Sequence, residues 1–449
     1  MRITLALLAL LAGAPAAEEK PNIIHIIGDD VGWDDLSCYG SKDIRTPNLD
    51  ALAKEGIRFR SFYAPSSTCT PTRAALLTGR YPNRVASCER VLFPNDKQGL
   101  ASGKELTIAS LLKHQGYATG LVGKWHLGCT PEHLPTNHGF DLYLGIPYPN
   151  DHGPERNGGK GDRGFPPIPL YRGTKIVEQP ADLASLPERF VEESVKFLTE
   201  NKDRPFYLHL ANIETHTPWF VSKRFRGKSK AGAYGDAVEC MDWMVGEVVE
   251  TVKKLGLERK TLIVFTSDNG PLVKKYEELE ACYGEFAKVD PSRVHQLRDG
   301  KYQSRFEGGI RVPMIARWPG QIPGGATSSE IAAGFDLFAT FAALAGAEIP
   351  KDRVIDGRSI LPLLKGEAGA RSPHAAFFGI GGKQIQSARQ GPWKIVLPAA
   401  KEKAAQLYNL DEDPGEKSDL ASSKPEIVER LTGIVEKARQ GFQNDKPLD

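Results

Sequence analysis

Two acidic pairs stand where chemistry can be done. Asp29 and Asp30 follow the β-branched run Asn22 to Ile27, and Asp268-Asn269 follows Leu262 to Phe265 and Ser267. Adjacent carboxylates repel, so keeping both ionised near one point favours a cation. Alone, Asp29-Asp30 reads equally well as a turn with Asp30 capping a helix. The second pair shifts that balance, because strands lying side by side in one parallel sheet would deliver both pairs to the same edge, where such sheets bind ligands. Three carboxylates and one amide oxygen make an all-oxygen site suited to a hard cation, Ca²⁺ or Mg²⁺. With no Cys or His in either pair, structural zinc is a poor fit.

Cys69 lies in the run Ser66 to Arg80, which reads Ser-Ser-Thr-Cys-Thr-Pro-Thr-Arg-Ala-Ala-Leu-Leu-Thr-Gly-Arg. Thr70 as cap, Pro71 as first helical residue and Gly79 as stop predict a short helix with Cys69 just before it, facing the positive end of the helix dipole. An anion binds readily there, and Arg73, one turn on, can reach the same group. A lone Cys before a helix is usually packing; Cys with Pro two residues on and Arg four residues on is far more specific. Lys124 and His126 sit two apart after the strand Tyr117 to Val122, so an extended chain would point them the same way. His216 follows the strand Phe206 to Leu210. Taken singly, a surface Lys and a hydrogen-bonded His are the ordinary readings of these residues.

Alternating strands and amphipathic helices must carry these groups. Strands Asn22 to Ile27, Tyr117 to Val122, Phe206 to Leu210, Thr261 to Thr266 and Val312 to Ala316, with helices opening at Thr46-Pro47, at Thr107 and over Val238 to Leu255, argue for an α/β fold. Its core would be a large, mostly parallel sheet covered by helices on both faces. From about residue 374 the texture changes to short strands at Ala376 to Phe378, Gln384 to Ala388, Trp393 to Leu397 and Gln406 to Leu410, closed by a helix over Pro425 to Arg439. This predicts a catalytic domain over 18–373 and a small antiparallel sheet with one helix over 374–449. Asn150 to Pro169 reads as a long surface loop.

Composition narrows the class. The 449 residues include 40% hydrophobic and 25% charged residues, ordinary globular values that exclude a disordered or fibrous chain. Lys plus Arg number 58 against 56 Asp plus Glu, a net charge of +2, too balanced for a dedicated nucleic-acid binder. Met1-Arg2, the apolar run Ile3 to Ala12 and Ala14-Pro15-Ala16 form a secretory signal over residues 1–17, cleaved near Ala16-Ala17 and too short to anchor in a membrane. Export to the periplasm or the exterior follows. Six cysteines imply no disulfide framework in an exported chain of this size.

The run Cys69 through Arg80 resembles the signature of the type I sulfatases, the formylglycine-dependent family within the alkaline phosphatase superfamily: Cys-x-Pro-x-Arg, an Ala/Leu-rich helix, then Thr-Gly-Arg. The resemblance extends along nearly all the exported chain, through Pro21 to Trp33, Gly123-Lys124-Trp125-His126-Leu127-Gly128, Glu307-Gly308-Gly309-Ile310-Arg311-Val312-Pro313 and Leu407-Tyr408-Asn409-Leu410-Asp411 with Asp413-Pro414 and Glu416. It implies that a maturation enzyme oxidises Cys69 to formylglycine, whose hydrate is the nucleophile. It also implies that Asp29, Asp30, residue 69, Asp268 and Asn269 surround one Ca²⁺, with Mg²⁺ the lesser choice. Lys124 and Arg73 would bind sulfate and hydroxyl, His126 would be the base that releases sulfate, and His216, matching the family's His-x-Pro, would be the acid on the leaving-group side.

The family commonly places a Lys five residues before the Glu of Glu-Gly-Gly, a position held here by Tyr302. A one-residue insertion lets Lys301 reach the substrate oxygen, which is the expected arrangement; otherwise Arg305 replaces it or the position is vacant. Gly145 to Asp151 resembles the arylsulfatase A and N-acetylgalactosamine-6-sulfatase branch, which implicates Asn150 and Asp151 in substrate contact and a sulfated galactose or N-acetylgalactosamine unit as substrate. Two other functions fit parts of the pattern. A phosphodiesterase or phosphonate hydrolase of the same superfamily shares the in-line attack, but two-metal phosphatases there commonly have Asp-His where this chain has Asp268-Asn269. A non-catalytic binder of sulfated glycans would result if Cys69 stayed a thiol.

Overall fold

The computed structural model describes residues 20–154, 164–273, 280, 294–399 and 404–448. The expected leader over 1–17, its cleavage point and Cys282 lie outside the described residues, as do parts of the loops that follow Asn150 and Leu272.

Strand Asn22–Gly28 is the centre of a ten-stranded sheet, and all of its residues are buried. A strand covered on both faces reads as a continuous apolar run, which is what Asn22 to Ile27 offers. Alternation divides its side chains. Ile24 and Ile26 enter one core with Phe190, Met241 and Val245, under helices Pro47–Glu55, Leu186–Glu200 and Gly232–Lys254. Ile23 and Ile27 enter the other with Leu77, Leu112 and Phe338, under helices Cys69–Thr78, Ile108–His114 and Asp336–Ala345.

Phe206–Ala211 and Thr261–Ser267 flank the central strand in parallel. Beyond the first lie parallel Ala118–Gly123 and Leu142–Gly145, then antiparallel Leu170–Arg172 and Lys175–Glu178. Beyond the second, Met314–Arg317 runs antiparallel and leads to Ile57–Phe59 and Ala326–Ser328. The expected helix-covered sheet is therefore present, parallel through its centre and mixed towards its edges. Register does the rest: Gly28 pairs with Ser267, and the Asp268 amide donates to the Gly28 carbonyl at 3.1 Å. Both acidic pairs leave the sheet side by side.

Two local expectations differ. Cys69 is itself the first residue of helix Cys69–Thr78, and Thr68 holds the cap position. Pro71 is tolerated inside the first turn because the amide it lacks has no helical partner there. The chain after Gly123 does not stay extended either. His126 adopts a left-handed φ of 61°, so it and Lys124 do not project as neighbours on one strand face.

Phe377–Gly381, Gln384–Gln390, Trp393–Val396 and Gln406–Asn409 form the small antiparallel sheet. Helix Pro425–Gln443 covers it through Leu431, Val435 and Ala438. Tyr63 stacks on Phe377 with ring centroids 4.4 Å apart, which fastens this sheet to the main body. Among the described residues five cysteines are free thiols, and no helix is long and apolar enough to cross a membrane.

Candidate active site

The carboxyl edge of the three central strands and the start of helix Cys69–Thr78 converge on one buried cluster. Cys69 Sγ lies 3.7 Å from Asp29 Oδ1. Asp29, Asp30, Cys69 and His216 each present a ligand atom, and these atoms lie within 4.8 Å of one another. Asp268 joins through the Asp30 amide, which donates to its Oδ1 at 3.2 Å. Asn269 Nδ2 donates to Asp30 Oδ1 at 2.7 Å, which leaves Asn269 Oδ1 buried without a hydrogen-bond partner.

Each carboxylate also meets a cation. Lys124 Nζ donates to Asp29 Oδ2 at 2.6 Å, Lys301 Nζ to Asp30 Oδ2 at 2.8 Å, and Arg73 Nε to Asp268 Oδ2 at 3.0 Å, with Arg73 Nη2 in ion-pair contact with the same oxygen at 2.9 Å. Arg73 Nη1 also donates to the Lys124 carbonyl at 3.1 Å, fixing the guanidinium across both segments. Burial opposes ionisation of Asp29, yet Lys124, His216 and Arg73 overcome it and hold its carboxyl well below the usual range. For Asp268 the balance tips the other way: burial, and then the Asp29 charge beside it, push it up to about 7. A group so placed is short of positive charge.

These residues fit a hard divalent cation. Asn269 supplies an oxygen that nothing else uses, Asp268 is crowded by its neighbours, and the donors are carboxylate and amide oxygens of the kind calcium takes. A dication added to three balanced ion pairs would leave the pocket positive, as an anionic ester requires. A second cluster of two acids and a histidine among the described residues, Asp34, Asp35 and His295, is already tied into the fold: His295 Nδ1 lies 3.0 Å from Asp34 Oδ1, and the Gln296 amide donates to Asp34 Oδ2 at 2.7 Å.

Hydrogen bonds fix the tautomers of two histidines. His126 Nε2 lies 3.0 Å from the Leu92 carbonyl, so Nε2 carries the proton, while Nδ1 is buried without a partner and keeps its lone pair. Burial, and then the Lys124 charge, hold this imidazole neutral, well below its ordinary value. His216 Nδ1 lies 2.7 Å from the Thr217 carbonyl and carries a proton there; its Nε2 accepts from Lys301 Nζ at 2.9 Å. Burial and the Lys301 charge lower the His216 pKa. Burial works against the Lys301 ammonium, but Asp30 more than offsets it and raises its pKa well above the usual value. The shared proton therefore rests on lysine. The Cys69 thiol is pushed up to about 12, chiefly by burial, so at neutral pH its sulfur is protonated.

The remaining candidates part company. Lys301 reaches the cluster, whereas the Arg305 guanidinium turns away and donates to the Leu397 carbonyl at 2.9 Å. Asn150 spends its amide nitrogen on the carbonyls of His216 and Pro218, at 2.9 and 2.7 Å, and so holds the loop that carries His216. Asp151 Oδ1 stands 3.6 Å from His152 Nε2. His152 itself escapes sequence reading, because no motif marks it; its ring is 5.7 Å from that of His126 and packs edge-on to it.

The chain resembles known proteins along most of its length. Residues 21–347 match the family described as Sulfatase, and residues 295–440 match N-sulphoglucosamine sulphohydrolase, C-terminal. The chain is 39% identical to arylsulfatase A of Bos taurus over 459 aligned positions, covering 94% of this chain and 87% of that protein. It is 35% identical to human N-acetylgalactosamine-6-sulfatase, covering 97% and 88%. Among solved structures, the PsFucS1 sulfatase from Pseudoalteromonas sp. superposes with a TM-score of 0.83 at 28% identity, covering 96% of this chain and 92% of that one.

Proposed function

The chain belongs to the sulfatase family and is a sulfuric ester hydrolase, and from that premise we propose that it hydrolyses the sulfate monoester of a carbohydrate, of galactose or N-acetylgalactosamine type, using formylglycine made from Cys69 and one calcium ion. Its likeness to an N-acetylgalactosamine-6-sulfatase supports the choice of sugar. Asp29, Asp30, Asp268, Asn269 and residue 69 hold the calcium, which supplies charge compensation for the ester and the nucleophile. Formylglycine supplies a hydroxyl nucleophile together with a second hydroxyl through which sulfate is later expelled.

The observation that carries this reading is the state of Cys69. A thiol at a helix start, among three carboxylates and three cations, looks placed for nucleophilic work. Yet it is about 1% exposed and its pKa is pushed up to about 12. Thiolates, not thiols, attack, so the position makes chemical sense once the sulfur is replaced. Lys124 and Arg73 stand on the residue 69 side and stabilise negative charge there. Lys301 Nζ, backed by His216 Nε2, delivers a proton to the departing sugar oxygen, a poor leaving group without one. His126 Nδ1, buried and with its lone pair uncommitted, takes the proton as sulfate is released. The full turnover consumes one water and yields the alcohol and sulfate.

An exported enzyme with a catalytic domain over 18–373, a C-terminal subdomain over 374–449 and a dependence on a maturation enzyme completes the proposal. Sulfate release from defined sulfated saccharides, read by ion chromatography, tests it together with the mass of the peptide that spans residue 69. Conversion of Cys69 should accompany activity, and Cys69→Ala should abolish turnover. Undiminished sulfate release by Cys69→Ala would refute the mechanism.

A further inference from the structure

Lys301 is separated from Glu307 by one residue more than the resemblance calls for, and the structure shows where the extra residue goes. Tyr302 takes a left-handed φ of 73°. Its neighbours are pinned on both sides: the Lys301 amide donates to the Pro271 carbonyl at 2.8 Å and the Gln303 amide to the Gly300 carbonyl at 3.1 Å. The Tyr302 amide itself donates to the Ser67 carbonyl at 2.9 Å, two residues before Cys69. A bulky side chain at positive φ is an outlier, and such strain gathers at functional sites.

The side chain this turn puts forward is an aromatic ring, 61% exposed, on a residue whose neighbour is buried. Lys301 Nζ lies 5.6 Å from the ring centroid and 2.9 Å from His216 Nε2. The ring therefore stands on the side of the pocket from which the alcohol departs, if Lys301 and His216 act as assigned above. A second exposed aromatic ring stands near His126. Phe93 is 36% exposed with its ring 5.0 Å from that of His152, which in turn packs against His126. An exposed aromatic face beside a polar, charged pocket suits a ligand with an apolar face on one side and a charged group on the other.

We propose that Tyr302 is the platform on which the ring bearing the sulfate ester lies, and that it selects sulfates of pyranose or aryl rings over open-chain alkyl sulfates. The carbon-bound hydrogens of a sugar face meet the negative face of the phenol ring while the sulfate enters the pocket beyond Lys301.

Binding to Cys69→Ala protein tests this without requiring turnover, which separates it from the catalytic reading. Titration calorimetry with galactose 6-sulfate and with propyl sulfate measures the preference for a ring. Adding Tyr302→Ala should shrink that preference about tenfold, and Tyr302→Phe should retain it. Tyr302→Gly, which adopts the left-handed turn without strain, should lose the preference while keeping the thermal midpoint at or above that of the parent. A preference left intact by Tyr302→Ala and Tyr302→Gly, or lost equally in Tyr302→Phe, overturns the proposal. Failure of the parent chain to release sulfate, with the ring preference still dependent on Tyr302, would count against the catalytic reading alone.

Discussion

At the scale of single residues, a backbone turn and not a count brings Lys301 rather than Arg305 to the cluster. Spacing to Glu307 leaves both open, because a left-handed residue absorbs one position without moving what flanks it. The structure puts Lys301 Nζ on Asp30 and His216 and sends Arg305 to Leu397. Lys301→Ala should lower kcat by about 10²–10³, the usual cost of one missing donor in a preorganised site. The loss should deepen from p-nitrophenyl sulfate to alkyl sulfates, whose leaving groups need the proton more. Arg305→Ala should change kcat/KM by no more than about twofold. Equal losses in the two variants across both substrates would reverse the assignment. Strand-end acids and the Cys69 to Arg80 run are legible in sequence because their chemistry demands fixed residue types at fixed intervals. His152 and Tyr302 are not, since their places depend on which rings and which turns meet around them.

At the scale of elements, the turn Glu307–Ile310 is the joint on which the pocket rests. Its glycines admit no side chain: a Cβ on Gly309 would lie 2.2 Å from the Gln303 carbonyl oxygen. The Gly309 carbonyl accepts from the Gly270 amide at 3.0 Å, next to Asn269, and the Gly308 amide donates to the Arg298 carbonyl at 2.9 Å, near Lys301. Glu307 is held in turn by the small sheet. Lys394 Nζ bridges Glu307 Oε1 at 3.0 Å and Glu416 Oε1 at 2.8 Å, and the Glu307 amide donates to Glu416 Oε2 at 2.7 Å. Lys394→Met would take the ammonium from buried Glu416 and leave Glu307 to Arg311 at 3.4 Å and the Tyr63 hydroxyl at 2.8 Å, and should cost about 3–5 kcal/mol in denaturant unfolding; a loss below about 1 kcal/mol would show the network to be dispensable. The central strands are legible as apolar runs, whereas Lys175–Glu178, with three of four residues exposed, has no apolar run to find. Helix Asp336–Ala345 escapes for the opposite reason: most of its faces are buried, so it lacks the 3.6-residue period that marks a half-buried helix. Leu186–Glu200 does carry that period and goes unassigned in sequence all the same.

Across the whole molecule, neutral histidines are built into the interior. Burial holds His25 down to about 3, His138 to about 4 and His209 well below its ordinary value. In the unfolded chain each takes up a proton near pH 6.5. The unfolded state thus binds more protons below that pH, so the stability these groups contribute is complete above it and is lost as pH falls. Each should add a slope of about 1.4 kcal/mol per pH unit, continuing down to about 4 for His138 and about 3 for His25. Denaturant midpoints at pH 7 and pH 5 measure this, and an unchanged midpoint would contradict it. The tie between Glu307 and Lys394 reaches further still, for the two are 87 positions apart. Translation delivers the strand-end acids, the cysteine and the lysine of the pocket long before it delivers the cation that steadies their common support. The last sheet to emerge from the ribosome is thus no appendage: a nascent chain halted before it would have every one of these groups, and the strand register that aligns the acidic pairs, but not the Lys394 tie that braces Glu307.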